Sequence, residues 1–288
     1  MLADTFEIAT GSMVGRLHLG QNGLLKGQNN QDAYAVHQDS AGLIMVVCDG
    51  CGSEPFSEFG SRLGADLLVA ALRTQLARGI VWGDPSQHAE QARISWERVR
   101  QDVLAQLRVL AITVAGQGSF SEYVRSRMLF TAVAAVVTPE VTTVASIGDG
   151  FIALNGELTR LGPFPNNTPP YFVYPLVDTE FSAHPEQLKF QVAHVVPTSE
   201  VRSLLVATDG LEDLLACEVR ELPGTTEKFG PLSQFWEKDL YFKNRDAIRR
   251  RLAIANSEQR RLNRQSGELV TALPLLTDDT TLAVLRRC

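Results

Sequence analysis

Three times in this chain an apolar run of strand length ends in an aspartate held by a glycine turn. The runs are Val46-Val47-Cys48-Asp49-Gly50, Ala145-Ser146-Ile147-Gly148-Asp149-Gly150 and Val206-Ala207-Thr208-Asp209-Gly210. An acidic pair, Asp278-Asp279, directly precedes another apolar run at 281–285. The end of a strand holds a side chain rigidly, and glycine lets a metal ion or a phosphate approach the backbone. Taken singly, each Asp-Gly reads as a capped turn. Their repetition in one chain points to a shared metal centre. Carboxylates brought together repel one another unless divalent cations neutralise them, and an all-oxygen donor set suits Mg²⁺ or Mn²⁺ rather than zinc.

The pattern around these turns divides the chain into strand and helix blocks. Residues 43–47 (LIMVV) are a buried-strand run that stops at the Asp49 turn. From Ser57 the period changes: Phe59, Leu63, Leu67 and Ala71 recur at every fourth position and predict one buried helix face. A second helix is predicted over 87–110, with Ala92, Trp96, Val99, Val103, Leu107 and Leu110 at spacings of three and four. Residues 128–137 and 141–147, rich in Val, Ala and Thr and split by Thr138-Pro139-Glu140, predict paired strands. Residues 151–154 run into Asn155-Gly156, a two-residue hairpin turn. Residues 201–207 and 281–285 read as further strands, and 162–175, with their prolines, as loop. Residues 217–264 read as helix-like patches whose arginines, Arg249-Arg250-Arg251 and Arg260-Arg261, lie on a solvated face. Strands in short-turn pairs and helices in separate blocks predict an α+β fold, antiparallel sheet with helices packed outside. No Pro/Gly/Ser-rich linker divides the chain, so a single domain over 1–288 is expected.

A net charge of −6 argues against nucleic acid as the main partner, because a phosphate backbone demands clustered Lys and Arg. No stretch approaches the roughly 20 apolar residues needed to cross a bilayer, and the first residues lack a basic-then-apolar leader pattern. The expectation is a cytoplasmic protein with no membrane insertion. Cys48 and Cys51 have C-x-x-C spacing, but no second ligand pair accompanies them. They read as reduced thiols at the end of a buried strand, with a thiol oxidoreductase as the weaker alternative.

The same elements resemble a known family. Asn30-Gln31-Asp32-Ala33 is similar to the N-[EQ]-D-A element that opens PP2C (PPM) phosphatases. The Asp49 turn, followed by Ser57-Glu58-Phe59-Gly60-Ser61, resembles their V-x-D-G-x-G-G…G-E-x-A-S stretch, and Gly148-Asp149-Gly150 their G-D-S. Leu204-Leu205-Val206-Ala207-Thr208-Asp209-Gly210-Leu211-Glu212-Asp213 resembles L-L-x-[AC]-[ST]-D-G-[LIV]-x-D, and Asp278-Asp279-Thr280-Thr281-Leu282 the closing D-N-x-[ST]-[VL]. The elements occur in family order across almost the whole chain. The resemblance, closest to the compact bacterial branch, implies a four-layer α-β-β-α sandwich of two antiparallel sheets flanked by helices. It implies metal-dependent hydrolysis of phosphoserine and phosphothreonine in proteins, with a cognate Ser/Thr kinase as partner. Two Mg²⁺ or Mn²⁺ ions would share an activated water. Asp49 would bridge them, the Gly50 carbonyl would complete the second site, Asp209 and Asp278 would ligate the first, Asp32 would act mostly through metal-bound water, and Asp149 would hold a third, weaker ion.

The sequence departs from the pattern at several positions. Where many members carry a phosphate-gripping arginine stands Gly27, with Lys26 beside it and His18 upstream as candidate substrate contacts. Cys51 takes the place of a histidine that eukaryotic members carry, which leaves the general acid open. Asp279 stands where Asn is usual, either altering metal affinity or capping the last strand. The competing reading is a metal-binding pseudophosphatase acting as a regulatory module.

Overall fold

The structure is a computed structural model that describes residues 5–18, 29–80, 82, 90–177, 180–262 and 269–288. Its centre is two five-stranded antiparallel sheets. The first carries β2 (Ala33–Gln38), β3 (Leu43–Gly50), β4 (Phe130–Val137), β5 (Val141–Ile147) and β8 (Gln191–Pro197) in that order. The second runs β1 (Phe6–Met13), β12 (Thr280–Arg287), β9 (Ser203–Ala207), β6 (Gly150–Leu154) and β7 (Glu157–Leu161). The chain passes between them at Gly148-Asp149, where β5 ends and β6 begins.

The layering follows from the two-residue period of a strand. Along β3, Leu43, Met45 and Val47 face inward and pack with Val133, Ile152, Leu204, Val206 and Ala283 between the sheets. The alternate residues Ile44, Val46 and Cys48 face outward onto α1 (Glu58–Ala77) and α2 (Glu90–Ala115). On the second sheet, Leu205, Ala207, Leu282 and Val284 face outward and are covered by α4 (Leu211–Ala216), α5 (Gln234–Glu237), α6 (Leu240–Lys243) and α7 (Ala247–Ala255). The result is the expected four-layer α-β-β-α sandwich. Strands buried on both faces read as unbroken apolar runs, which is why 43–47 and 128–137 were legible without alternation.

Several local expectations shift. The buried face of α1 is Gly60, Ser61, Gly64, Ala65, Leu68, Ala71 and Leu72, while Phe59 is exposed and Leu63 and Leu67 only half-buried. Close approach decides this. A Cβ at Gly64 would overlap the Phe130 ring, and one at Gly60 would crowd the Met128 backbone. α2 extends five residues past the predicted end, and 87–89 lie outside the described residues. β1, β2 and β8, where Gly, Ser, His and Gln interrupt the apolar pattern, had no sequence signal. The 217–264 region holds only short helices and runs into a small hairpin, β10 (Gln259–Leu262) with β11 (Leu269–Ala272). Within it Arg249 and Arg250 are solvated on Asp246, as expected. Arg251 turns inward instead, binding Glu227 and the Lys228 and Phe229 carbonyls. Among the described residues no single helix is long and apolar enough to cross a membrane. One bent pair, α2 with 117–127, meets the length and composition test alone, and the apolar face of α2 is spent on the sheet.

Gly64→Ala should destabilise the protein by about 1–3 kcal/mol, the cost of forcing a core ring aside. Gly118→Ala, which meets nothing within 4 Å, should stay within about 0.5 kcal/mol of wild type. Urea unfolding of the two variants measures both.

Candidate metal centre

Antiparallel pairing delivers the acidic turns to one end of the sandwich. β3 finishes at Asp49-Gly50, so the start of its antiparallel neighbour β2, next to Asp32, lies at the same end. β4 begins there and β5 finishes there, at Ile147. After the crossover β6 starts there, so β9 finishes there at Ala207 and β12 starts there at Thr280. Asp32, Asp49, Asp149, Asp209, Asp278 and Asp279 thus come from both sheets and from distant parts of the chain. Asp49, Gly50, Asp149, Asp209, Asp278 and Asp279 line one cavity of about 220 Å³, and Asp32 sits buried beside it.

Glycine makes the turns close enough. Asp149 lies between Gly148 at φ +86° and Gly150 at φ +134°, left-handed conformations that side-chain-bearing residues rarely adopt. A Cβ at Gly210 would overlap the Asp279 carbonyl oxygen. Around them a hydrogen-bonded frame fixes the loops. Gly50 N–H donates to the Gln31 carbonyl (3.1 Å), and Thr208 Oγ1 donates to Asp32 (2.7 Å). Asp213 accepts from the backbone N–H groups of Thr277 and Asp278. Asp279, 3% exposed, accepts from Gly15 N–H (2.7 Å) and Gln31 N–H (2.6 Å) and pairs with His18 Nδ1 (2.9 Å).

The electrostatics are those of an under-neutralised cluster. Burial, then the Asp209 and Asp32 charges, push the Asp49 carboxyl well above the ordinary range. Burial, then Asp149 and Asp278, raise Asp209 to about 7. Burial also raises Asp32, Asp149 and Asp278. The charge of Asp32 is one of the causes that raise Asp49. Asp32 Oδ1 and Asp149 Oδ1 are buried with no hydrogen-bond partner. An orphaned carboxylate oxygen beside other carboxylates, with only oxygen donors on that face, fits a hard divalent ion. The cluster is an open ring. Among the described residues no group of three or more Asp, Glu, His or Cys side chains is drawn together in a ready-made ligand set. Mutual repulsion opposes closer approach until positive charge is supplied.

Residues 19–252 match the profile of a family described as Protein phosphatase 2C. The chain belongs to that family. It is a protein serine/threonine phosphatase, as the sequence resemblance implied. Comparison with curated proteins gives no match. Among solved structures, two point variants of a bacterial serine phosphatase share the fold. One has a TM-score of 0.53 and 14% identity, the other 0.52 and 13%, and each alignment covers 98% of both chains. The serine/threonine phosphatase Stp1 from Staphylococcus aureus aligns at a TM-score of 0.47 with 15% identity, over 98% of this chain and 94% of that one.

In this PP2C phosphatase the residues singled out from sequence separate into groups. Asp49, Gly50, Asp149, Asp209 and Asp278 share the cavity, Asp32 backs it, and His18 lines its edge. Lys26 lies outside the described residues. Asp279, for which the sequence left open altered metal affinity or a cap on the last strand, ties Gly15, His18 and Gln31 to the start of that strand. Glu58 accepts from Asn29 Nδ2 at 3.0 Å and so ties the segment before β2 to the start of α1. Thr208, Asp213 and Gln31 were quoted within motifs without a role, and Tyr171 in the cavity wall was missed. The C-x-x-C thiols do not form a pair. All four cysteines are free, Cys48 faces the helix layer, and burial pushes its thiol well up, the reverse of an activated thiolate.

A carboxyl whose folded pKa is raised adds stability below its unfolded pKa and loses that contribution as pH rises through the folded value. The metal-free phosphatase should therefore lose stability from the ordinary carboxylate range up to about pH 7, where Asp209 titrates. Mn²⁺ at a fixed concentration, a hundredfold above its Kd at pH 7.5, should restore about 2.7 kcal/mol there and less at pH 5, where protons compete. Calorimetric melting with and without Mn²⁺ reads this out, and a Tm indifferent to both would contradict the cluster.

Proposed function

We propose that this cavity hydrolyses phosphoserine and phosphothreonine in proteins with two Mg²⁺ or Mn²⁺ ions held by Asp49, Asp209 and Asp278, and a weaker third at Asp149. The observation that carries the reading is the convergence of those carboxylates on one cavity, with buried, unpartnered oxygens on Asp149 and on neighbouring Asp32. Bound there, such ions would supply Lewis acidity and a water ionised near neutral pH. The protein's own contribution is positional. Asp32, fixed by Thr208, orients water through its free oxygen. Asp213 holds the Thr277-Asp278 backbone so that the Asp278 carboxylate enters the cavity. His18, its Nδ1 committed to Asp279, presents its ring at the cavity edge as a phosphate contact, and Lys26 is the second candidate contact. No protein nucleophile is required, so turnover proceeds without a phosphoenzyme. The partners are phosphoproteins and, by the same reading, a cognate kinase. A cytoplasmic site of action belongs to this proposal, supported by four free thiols.

Hydrolysis of a phosphoserine peptide should need Mn²⁺ and cease in EDTA. Asp49→Asn and Asp209→Asn should each cut turnover on the order of 10²- to 10³-fold, the scale of losing one group that stabilises transition-state charge. Because both substitutions relieve repulsion, the metal-free variants should melt no lower than wild type. Mn²⁺ binding by the wild type without turnover on any phosphopeptide would instead support a metal-binding regulatory module.

A further inference from the structure

The residues that line the cavity fall into two chemical groups. One is acidic, built from strand ends. The other carries no carboxylate: Cys51 and Ser53 come from the loop after β3, and Asn167, Pro169 and Tyr171 from the segment after β7. Tyr171 is the large polar side chain of that group. It is 9% exposed, and its backbone is held on both sides. Phe172 N–H donates to the Phe130 carbonyl at 2.8 Å, and the Phe130 and Phe172 rings stack at 5.1 Å with 13° between planes. The Tyr171 ring packs edge-on to Tyr174 at 5.3 Å. The opposing Cys51 is fixed by its N–H donating to the Leu129 carbonyl at 3.1 Å, one residue from Phe130. Tyr171 and Cys51 are therefore anchored to the same start of β4.

The Tyr171 hydroxyl lies within reach of the Cys51 thiol, whose sulfur is itself hydrogen-bonded to Ser53 Oγ at 3.1 Å. Sulfur is a weak partner for a phenol, so an ester oxygen entering the cavity offers a better one. Burial, then Cys51, raise the phenol's pKa, so it stays an O–H donor throughout the working range. In an in-line displacement at phosphorus the attacking and leaving oxygens lie on opposite sides. With attack from among the carboxylates, the leaving oxygen points to the residues that carry none, and negative charge grows on it as the P–O bond breaks.

Resting on the reading of the cavity as a phosphomonoester site, we propose that Tyr171 is a catalytic residue whose hydroxyl donates a hydrogen bond to the leaving seryl or threonyl oxygen. A donor placed where charge develops stabilises the transition state more than the ground state, so its loss falls on kcat more than on KM.

The test is Tyr171→Phe, which keeps the ring and its packing, assayed with Mn²⁺ on p-nitrophenyl phosphate, on phenyl phosphates of decreasing leaving-group acidity, and on a phosphoserine peptide. The expected result is a loss that grows as the leaving oxygen becomes more basic. It should be a few-fold on p-nitrophenyl phosphate and on the order of 10²-fold in kcat on the peptide, with KM little changed. Mn²⁺ affinity by titration calorimetry should stay near wild type. An equal loss on every substrate, a fall in Mn²⁺ affinity that tracks activity, or no loss on the peptide would each overturn the assignment. A wild type inactive on all of these substrates would instead bring down the phosphatase reading beneath it.

Discussion

Six carboxyl groups meet at one end of this sandwich, and nothing in folding alone favours that. Burial and mutual repulsion raise the pKa of Asp32, Asp49, Asp149, Asp209 and Asp278 together, so the metal-free protein holds them only by protonating some of them. The rest of the structure works against that repulsion. Two sheets with apolar inner faces and helices on both outer faces supply the compensating burial. The cluster is thus a site of electrostatic stress, which a bound hard dication, as proposed, would relieve.

The frame that resists the stress is backbone-based. Asp279 departs from the residue usual at its place, and it is the buried carboxylate with the most complete set of partners: two N–H donors and the His18 imidazole. It binds the segment after β1 and the one before β2 to the start of β12. Asp213 does the same for Thr277 and Asp278 from the other side. These carboxylates work as hydrogen-bond hubs around the cavity. A division of partners explains how so many acids coexist. Asp279 and Asp213 are satisfied by backbone N–H groups, whereas Asp149 in the cavity and Asp32 beside it each keep a buried oxygen with no partner.

Function here was more legible than some of the local structure. The Asp-Gly turns, their order and the strands leading into them were readable, because a strand buried on both faces has a distinctive apolar run and a turn at its end a distinctive glycine. The interrupted strands β1, β2 and β8 were not, since their pattern depends on which neighbours cover them. The face of α1 was displaced because close approach to Met128 and Phe130 makes Gly60 and Gly64 part of the contact surface, which a four-residue apolar period does not reveal. Tyr171 gave no signal within a proline-rich loop, for its significance lies in standing opposite Cys51, 120 residues away in the chain.

The amino-acid sequence by itself determined the chemistry available: oxygen ligands on rigid strand ends, turns that only glycine permits, and enough apolar material for a two-sheet core. Those follow from residue type and local spacing, which short-range sterics and hydrophobicity translate directly. Tertiary structure alone decided which acids line the cavity and which accept from N–H groups, which histidine is held by which carboxylate, and which aromatic stands in the cavity lining. Such pairings join residues up to 264 positions apart, as Gly15 and Asp279 are, and the packing of the two sheets brings them within hydrogen-bonding distance.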